Sequence, residues 1–242
     1  MTAIHRLYQL NKPLIVASLL ALRSPELFVF CVHHASQVQS YVESSSWTSV
    51  IKVICVVENS ILNAGDALRE LDKRGLIRSD PFIMVSGDVV TNVDIRGALV
   101  EHKKRKKKDS SAIMTILLKQ RDSMSTTRQV CDDLLVGVNG KTNQITLFHD
   151  DITSNETEVP TSFFDIHGNI SIRSDLLDCG IDICSPDVLA RFSDEFDYKE
   201  IRKQFVANIV SEEEEGLQSK VRAQGRGAKR RAEVFYVYID DV

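Results

Sequence analysis

No run of apolar residues in this chain reaches the roughly 20 needed to cross a bilayer. The hydrophobic stretch PLIVASLLAL near the start runs into Arg23 without a small-residue cleavage site, so it lacks the layout of a secretory signal. Neither common phosphate-binding fingerprint occurs: there is no G-x-x-x-x-G-K-[ST] and no G-x-G-x-x-G. Cysteine is sparse. Cys31, Cys55, Cys131, Cys179 and Cys184 form no C-x-x-C and are odd in number. That argues against a zinc site and a disulfide framework, and points to a reducing cytosol. A net charge of −4 exerts no global pull on nucleic acid. The six histidines (5, 33, 34, 102, 149, 167) have no motif partner to serve as base to a nucleophile. His33 and His34 are adjacent, so their side chains point apart.

What is present is an ordinary globular composition. Over 242 residues, 43% are hydrophobic and 26% charged, enough chain for one large or two small domains with a buried core. Strand-like and helix-like segments alternate through the first half. LFVFCV (27–32), IKVICVV (51–57), PFIMVS (81–86) and AIMTILLK (112–119) read as buried strands. Between them ASQVQSYVES has helical character. Asn63 is placed to cap a helix whose Ala67, Leu68 and Leu71 share a face and which stops at Gly75. Asp94 is placed to cap another, with Ile95, Ala98, Leu99 and His102 on one face. This alternation predicts a largely parallel sheet between helices. The second half changes pattern. LLVGV and QITLFH flank a hairpin loop, ISIR and LLDCGIDIC are further strands, and Ser185-Pro186 opens a short helix. A last helix carries Tyr198, Ile201, Phe205 and Ile209 inward. After EEEEG no period is visible until the final apolar run.

Charged features divide into functional and structural readings. KKRKKK (103–108) is either a nucleic-acid patch or the solvated end of an amphipathic helix, where cations suit the negative pole of the macrodipole. The absence of interleaved aromatics favours the helix end. Asp178 and Asp182, four apart on a strand, face one side; paired they would hold a metal, and separated at strand ends they are polar exits. The run FIMVSGDVV ends its strand in Gly87-Asp88. A carboxylate there is either a metal ligand or a plain strand exit. No catalytic set stands on its own.

Three stretches carry a resemblance: GDALRELDKRGLIRSDPFIMVSGDVVTNVD, ALVEHKKRKKKDSSAIMTILLK and DLLDCGIDICSPDVLARFSDEFDYKEIRKQFV. In that order, with the D-C-G-I-D-I-C-S-P string, they resemble the nucleotidyltransferase-like N-terminal domain of the epsilon subunit of eukaryotic translation initiation factor 2B. The resemblance covers about residues 27–221. It implies a mixed, mostly parallel Rossmann-like sheet of the nucleotide-diphospho-sugar transferase type, incomplete at its N-terminus. It divides the chain into a divergent segment 1–26, the domain 27–221 and a divergent tail 222–242.

The resemblance implies a non-catalytic module of the guanine nucleotide exchange factor for translation initiation factor 2. It would lie in the cytosol and associate with sister subunits, gamma above all, and with translation initiation factor 2. No cofactor, direct nucleic-acid contact or membrane contact is expected. In the wider pyrophosphorylase superfamily, the Gly-Asp matched by Asp88 binds magnesium, Gly65 matches a backbone approach to base or ribose, and Asp178 stands near a sugar contact. Those three are expected to be vestigial here. Active members open on a strand and a Gly-rich loop that cradle triphosphate, whereas MTAIHRLYQLNKPLIVASLL holds no glycine. The alternative is an active magnesium-dependent sugar-phosphate nucleotidyltransferase. The family continues into a β-helix and a helical-repeat domain, so the chain is expected to be a fragment. The family's Asn-Phe pair, implicated in contact with the G protein, is here Glu195-Phe196. An amide able to donate has become an acceptor-only carboxylate.

Overall fold

The central strand is hydrophobic nearly from end to end, and the sheet is built around it. A computed structural model of the chain describes residues 26–31, 34–49, 51–58, 61–87, 89, 93, 95–121, 134–150, 159, 163–164, 167–212 and 233–240. Its elements in chain order begin with β1 (Glu26–Cys31), α1 (Ala35–Ser44), β2 (Lys52–Val57), α2 (Ala64–Lys73) and β3 (Phe82–Val85). They continue with α3 (Ile95–Lys108), β4 (Ala112–Gln120), β5 (Leu135–Asn139), β6 (Ile145–His149) and β7 (Ile170–Arg173). β8 (Leu176–Cys184), α4 (Asp187–Asp194), a π-helical turn (Ile201–Val206) and β9 (Val234–Asp240) complete the set.

β4 is buried from Ala112 through Leu118, as a strand covered on both faces must be. It lies between β8 and β9 in a sheet ordered β3-β8-β4-β9. β8 runs antiparallel to both β3 and β4, and β9 runs parallel to β4, so β3, β4 and β9 share one direction. Alternation along β4 serves two layers. Ile116 and Leu118 join the larger core with α2, α4 and the aromatic residues Phe192, Tyr198, Phe205 and Phe235. Leu117 faces the other way, toward Ile95 and Ala98 of α3. β1 and β2 form a separate parallel pair beneath α1, and β6-β5-β7 form a small antiparallel sheet.

The two signals expected for α2 operate as written. Asn63 accepts the Asp66 amide at 2.9 Å. At the far end of α2 the Gly75 amide bonds the Asp72 carbonyl and the Leu76 amide the Leu71 carbonyl, the paired closure of a Schellman motif. The face Ile95, Ala98 and His102 of α3 is buried, while its proposed cap, Asp94, lies outside the described residues. The last helix differs from expectation in its first turn. The Phe205 amide bonds the Glu200 carbonyl, an i→i+5 bond, so the segment opens as a π turn with Tyr198 ahead of it.

One boundary moves. The tail expected from 222 onward contains β9, seven residues paired along the length of β4. VFYVYI is aromatic and β-branched, a strong strand former, and without it β4 would expose an apolar edge. The hairpin turn reaches the same strand, with the Val237 amide on the Asn143 carbonyl at 2.9 Å.

Candidate functional site

Two places in the fold collect the residues singled out above. The first is the carboxyl end of β3. Met84 stands opposite Asp182 on β8, and the pairing runs on past β3 through the Ser86 amide on the Gly180 carbonyl at 2.9 Å. Gly87 is described and exposed, whereas Asp88 lies outside the described residues. Asp178 and Asp182 therefore border the strand end that FIMVSGDVV marks.

The same-face reading of those two aspartates holds despite an irregular register. Between Ile116 and Leu118 of β4, strand β8 advances from Asp182 to Asp178, two residues more than its partner. An even excess keeps both carboxylates on one side. Gly180, at φ +62, supplies the left-handed residue that the irregularity needs. What the carboxylates face is a guanidinium. Arg202 of the π turn bonds Asp178 at 2.5 and 3.0 Å and Asp182 at 2.8 and 3.0 Å. Burial pushes the Asp182 carboxyl up to about 6, helped by the Asp178 charge and opposed by Arg202. Burial pulls the Arg202 guanidinium the other way, and the two aspartates more than reverse it, so Arg202 stays charged.

Both carboxylates are thus engaged by a fixed cation. Among the described residues no cluster of three or more acidic, histidine or cysteine side chains is placed to hold a metal ion. Arg202 was not foreseen from sequence. Its signal was indirect: two carboxylates four apart on a buried strand require a counter-cation.

The second place is the face between α2 and the turn after α4. Gly65 is buried, and a Cβ there would stand 2.0 Å from the Tyr198 carbonyl oxygen. Its amide bonds the Lys199 carbonyl at 3.0 Å. The close backbone approach at Gly65 is thus made by the chain itself. Glu195 ends α4, its amide on the Arg191 carbonyl at 3.0 Å. Two residues separate opposite fates. Tyr198 is buried edge-on against Phe192 and Phe205, while the Phe196 side chain is left 74% exposed.

Above Phe196 lies Arg69, its guanidinium carbon 5.6 Å from the ring centroid. Arg69 also donates to the Phe192 and Tyr198 carbonyls, both at 3.1 Å, and pairs with Asp66 at 2.9 Å. The Arg69 pairing and its hydrogen bond hold the Asp66 carboxyl below its usual range. Arg69 is the second residue that sequence reading missed. It sits on an exposed-looking helix position with nothing local to mark it.

The basic run splits by direction. Arg105 stacks on Tyr236 of β9 at 5.0 Å and pairs with Glu101 at 2.6 Å. Lys106 bonds the Ser110 carbonyl and Asp187. Lys103, Lys104, Lys107 and Lys108 point to solvent.

No protein-family model matches the chain. It is 40% identical over 188 residues to translation initiation factor eIF2B subunit epsilon of Dictyostelium discoideum, covering 77% of this chain and 26% of that protein. To the same subunit of Schizosaccharomyces pombe it is 40% identical over 190 residues, covering 77% and 28%. The chain thus spans about a quarter of the length of these relatives. Among solved structures it is similar to HddC from Yersinia pseudotuberculosis, with TM-score 0.55 and 14% identity over 93% of this chain and 74% of that one. It is also similar to the inositol-1-phosphate CTP transferase from T. maritima, with TM-score 0.53 and 12% identity over 95% and 71%. At such low identity these two show the fold alone, that of the nucleotide-diphospho-sugar transferases. No described helix is long and apolar enough to cross a membrane. Through the span it shares with its relatives, the chain belongs to the epsilon subunits of translation initiation factor eIF2B.

Proposed function

We propose that this chain is a non-catalytic nucleotidyltransferase-like module of an exchange-factor epsilon subunit. It acts in the cytosol by contact with sister subunits, gamma among them, and with translation initiation factor 2. Exchange needs no bond chemistry from this module: a factor that holds the nucleotide-poor G protein more tightly than the loaded one shifts its equilibrium. The observation that carries the reading is Phe196, an aromatic ring held in the open above a folded aromatic cluster. Large aromatics so placed are typical anchors of protein interfaces. Asp178 and Asp182, bound by Arg202, support the non-catalytic part, since the fold's metal-dependent chemistry needs carboxylates free for a cation. Gly65, Asp88 and Asp178 are on this view vestigial positions.

The test is capture of translation initiation factor 2 by an exchange-factor complex assembled with this chain. Phe196→Ala should leave the melting temperature nearly unchanged and weaken capture by about 2 kcal/mol, roughly 30-fold. Glu195→Asn, which restores a donor, should strengthen it. Equal capture by wild type and Phe196→Ala would remove the contact. Release of pyrophosphate from a nucleoside triphosphate and a sugar phosphate with magnesium, lost on Asp88→Ala, would establish the nucleotidyltransferase instead.

A further inference from the structure

We infer that Arg69 is a positioning residue for the Phe196 contact, fixing that ring in its presented orientation before any partner arrives. The inference rests on the reading of Phe196 given above. The turn from Glu195 to Glu200 has weak internal closure, with the Tyr198 amide 3.4 Å from the Glu195 carbonyl. Its backbone is held from outside instead. Arg69 bonds the carbonyl of Phe192 on one side of Phe196 and that of Tyr198 on the other, both from Nη1, and lays its guanidinium over the ring between them. One planar group thereby fixes the turn and the ring together.

Arg69 is itself held. Its Nη2 meets Asp66 Oδ1, the Asp66 amide is capped by Asn63, and Asp66 Oδ2 accepts the Leu62 amide at 3.1 Å. Lysine could match the charge but not this function, because an ammonium lacks the planar fork that bonds carbonyls while stacking on a ring. The gain is preorganisation. A ring and turn that must be ordered on binding lose affinity for each side chain immobilised.

The experiment is a double-mutant cycle read by capture of translation initiation factor 2, again in the exchange-factor complex carrying this chain. Arg69→Lys should weaken capture about tenfold. In the Phe196→Ala background the same substitution should change capture by less than about twofold, since Arg69 then has no ring to place. A structural role alone would not produce that dependence. Equal losses in the two backgrounds would overturn the inference and leave the Phe196 contact standing. So would full capture by Arg69→Lys. No effect of Phe196→Ala would instead defeat the contact, and the inference with it.

Asp66→Asn guards against Arg69→Lys failing to fold. It loosens the guanidinium while leaving both carbonyl bonds. It should give a smaller loss of capture that also vanishes without Phe196. A loss that persists in Phe196→Ala would count against the inference.

Discussion

Asp182 is a carboxylate left 4% exposed, and Phe196 is an aromatic side chain left 74% exposed. The two depart from the ordinary rule of burial in opposite directions, and each departure is held by an arginine. Arg202 reaches inward to neutralise two carboxylates. Arg69 reaches outward to steady a ring. The difference lies in what each arrangement leaves available. Around Asp182 the two carboxylates and the guanidinium satisfy one another within the fold. Around Phe196 a large apolar area faces water, and covering it would return about 25 cal/mol per Å². Buried polar and exposed aromatic groups are the informative exceptions in a fold. Here they mark the two places to which the proposed function gives opposite roles.

The comparison breaks most readily at Arg202. Arg202→Met leaves Asp178 and a buried Asp182 without their cation, and removing one partner of a buried pair costs about 3–5 kcal/mol. Urea unfolding should show a loss of that order, against a change near zero for Phe196→Ala. Adding Asp178→Asn and Asp182→Asn to Arg202→Met should recover much of it. A loss below about 1 kcal/mol would mean that water or a nearby cation reaches the cluster, and the contrast with Phe196 would fail.

Acid titration sharpens the inner half. Burial pushes the His102 imidazole down to about 4 from an unfolded value near 6.5. In that window the unfolded chain binds a proton that the native state refuses, so this group makes stability fall as pH drops. Asp182, raised to about 6 from an ordinary value near 3.9, has the opposite sign. The native state takes its proton first, so stability rises as pH falls from about 6 toward 4. Asp66 and Asp175, held below the usual carboxylate range, contribute loss only at lower pH. Wild type should therefore change little between pH 6.5 and 4.5. His102→Gln should be more stable at pH 4.5 than at 6.5, measured by urea midpoints. A midpoint that falls on acidification in that variant would show Asp182 to be solvated.

Gly65→Ala tests whether the outer half depends on the face beneath it. The added Cβ meets a backbone carbonyl at 2.0 Å, which cannot rotate aside. Overpacking of this kind costs about 1–3 kcal/mol, and relief requires the Tyr198–Lys199 backbone to lift away from α2. The expected result is a moderate loss of stability with increased protease cleavage near Phe196. Unaltered cleavage would show that the turn is held without that contact.

The sheet was legible because its signals are local. The apolar run of β4, the Asn63 cap, the Gly75 stop and the Asn139–Asn143 turn each act within a few residues. β9 was not, because seven residues isolated after a stretch with no period identify a strand only once β4 is seen to need a second neighbour. The site was legible by position and not by content. Asp178 and Phe196 stand out in the sequence, yet what they touch is Arg202 and Arg69. Arg69 makes contacts at sequence separations of 123 and 129 residues, and Arg202 at 20 and 24. No pattern within one helix announces such partners.

The smallest effect is expected at the basic run, which serves as the control for the exposed surface. Its six residues look alike in sequence but divide into two sets. Arg105 stacks on Tyr236 and follows Glu101 by four residues, the favourable order for a helical ion pair. Lys106 ties α3 to Asp187 at the start of α4. The remaining four, Lys103, Lys104, Lys107 and Lys108, lie on the solvent side of the helix end, where their charges suit the macrodipole and repel one another. Replacing those four with glutamine should shift the melting temperature by no more than about 2 °C, because these two effects oppose. It should also leave RNA binding unaltered, as measured by fluorescence anisotropy near physiological salt. An RNA-binding patch would behave differently: sub-micromolar affinity falling steeply with added salt, and lost in the glutamine variant. That outcome would turn four solvated lysines into a second candidate surface beside Phe196.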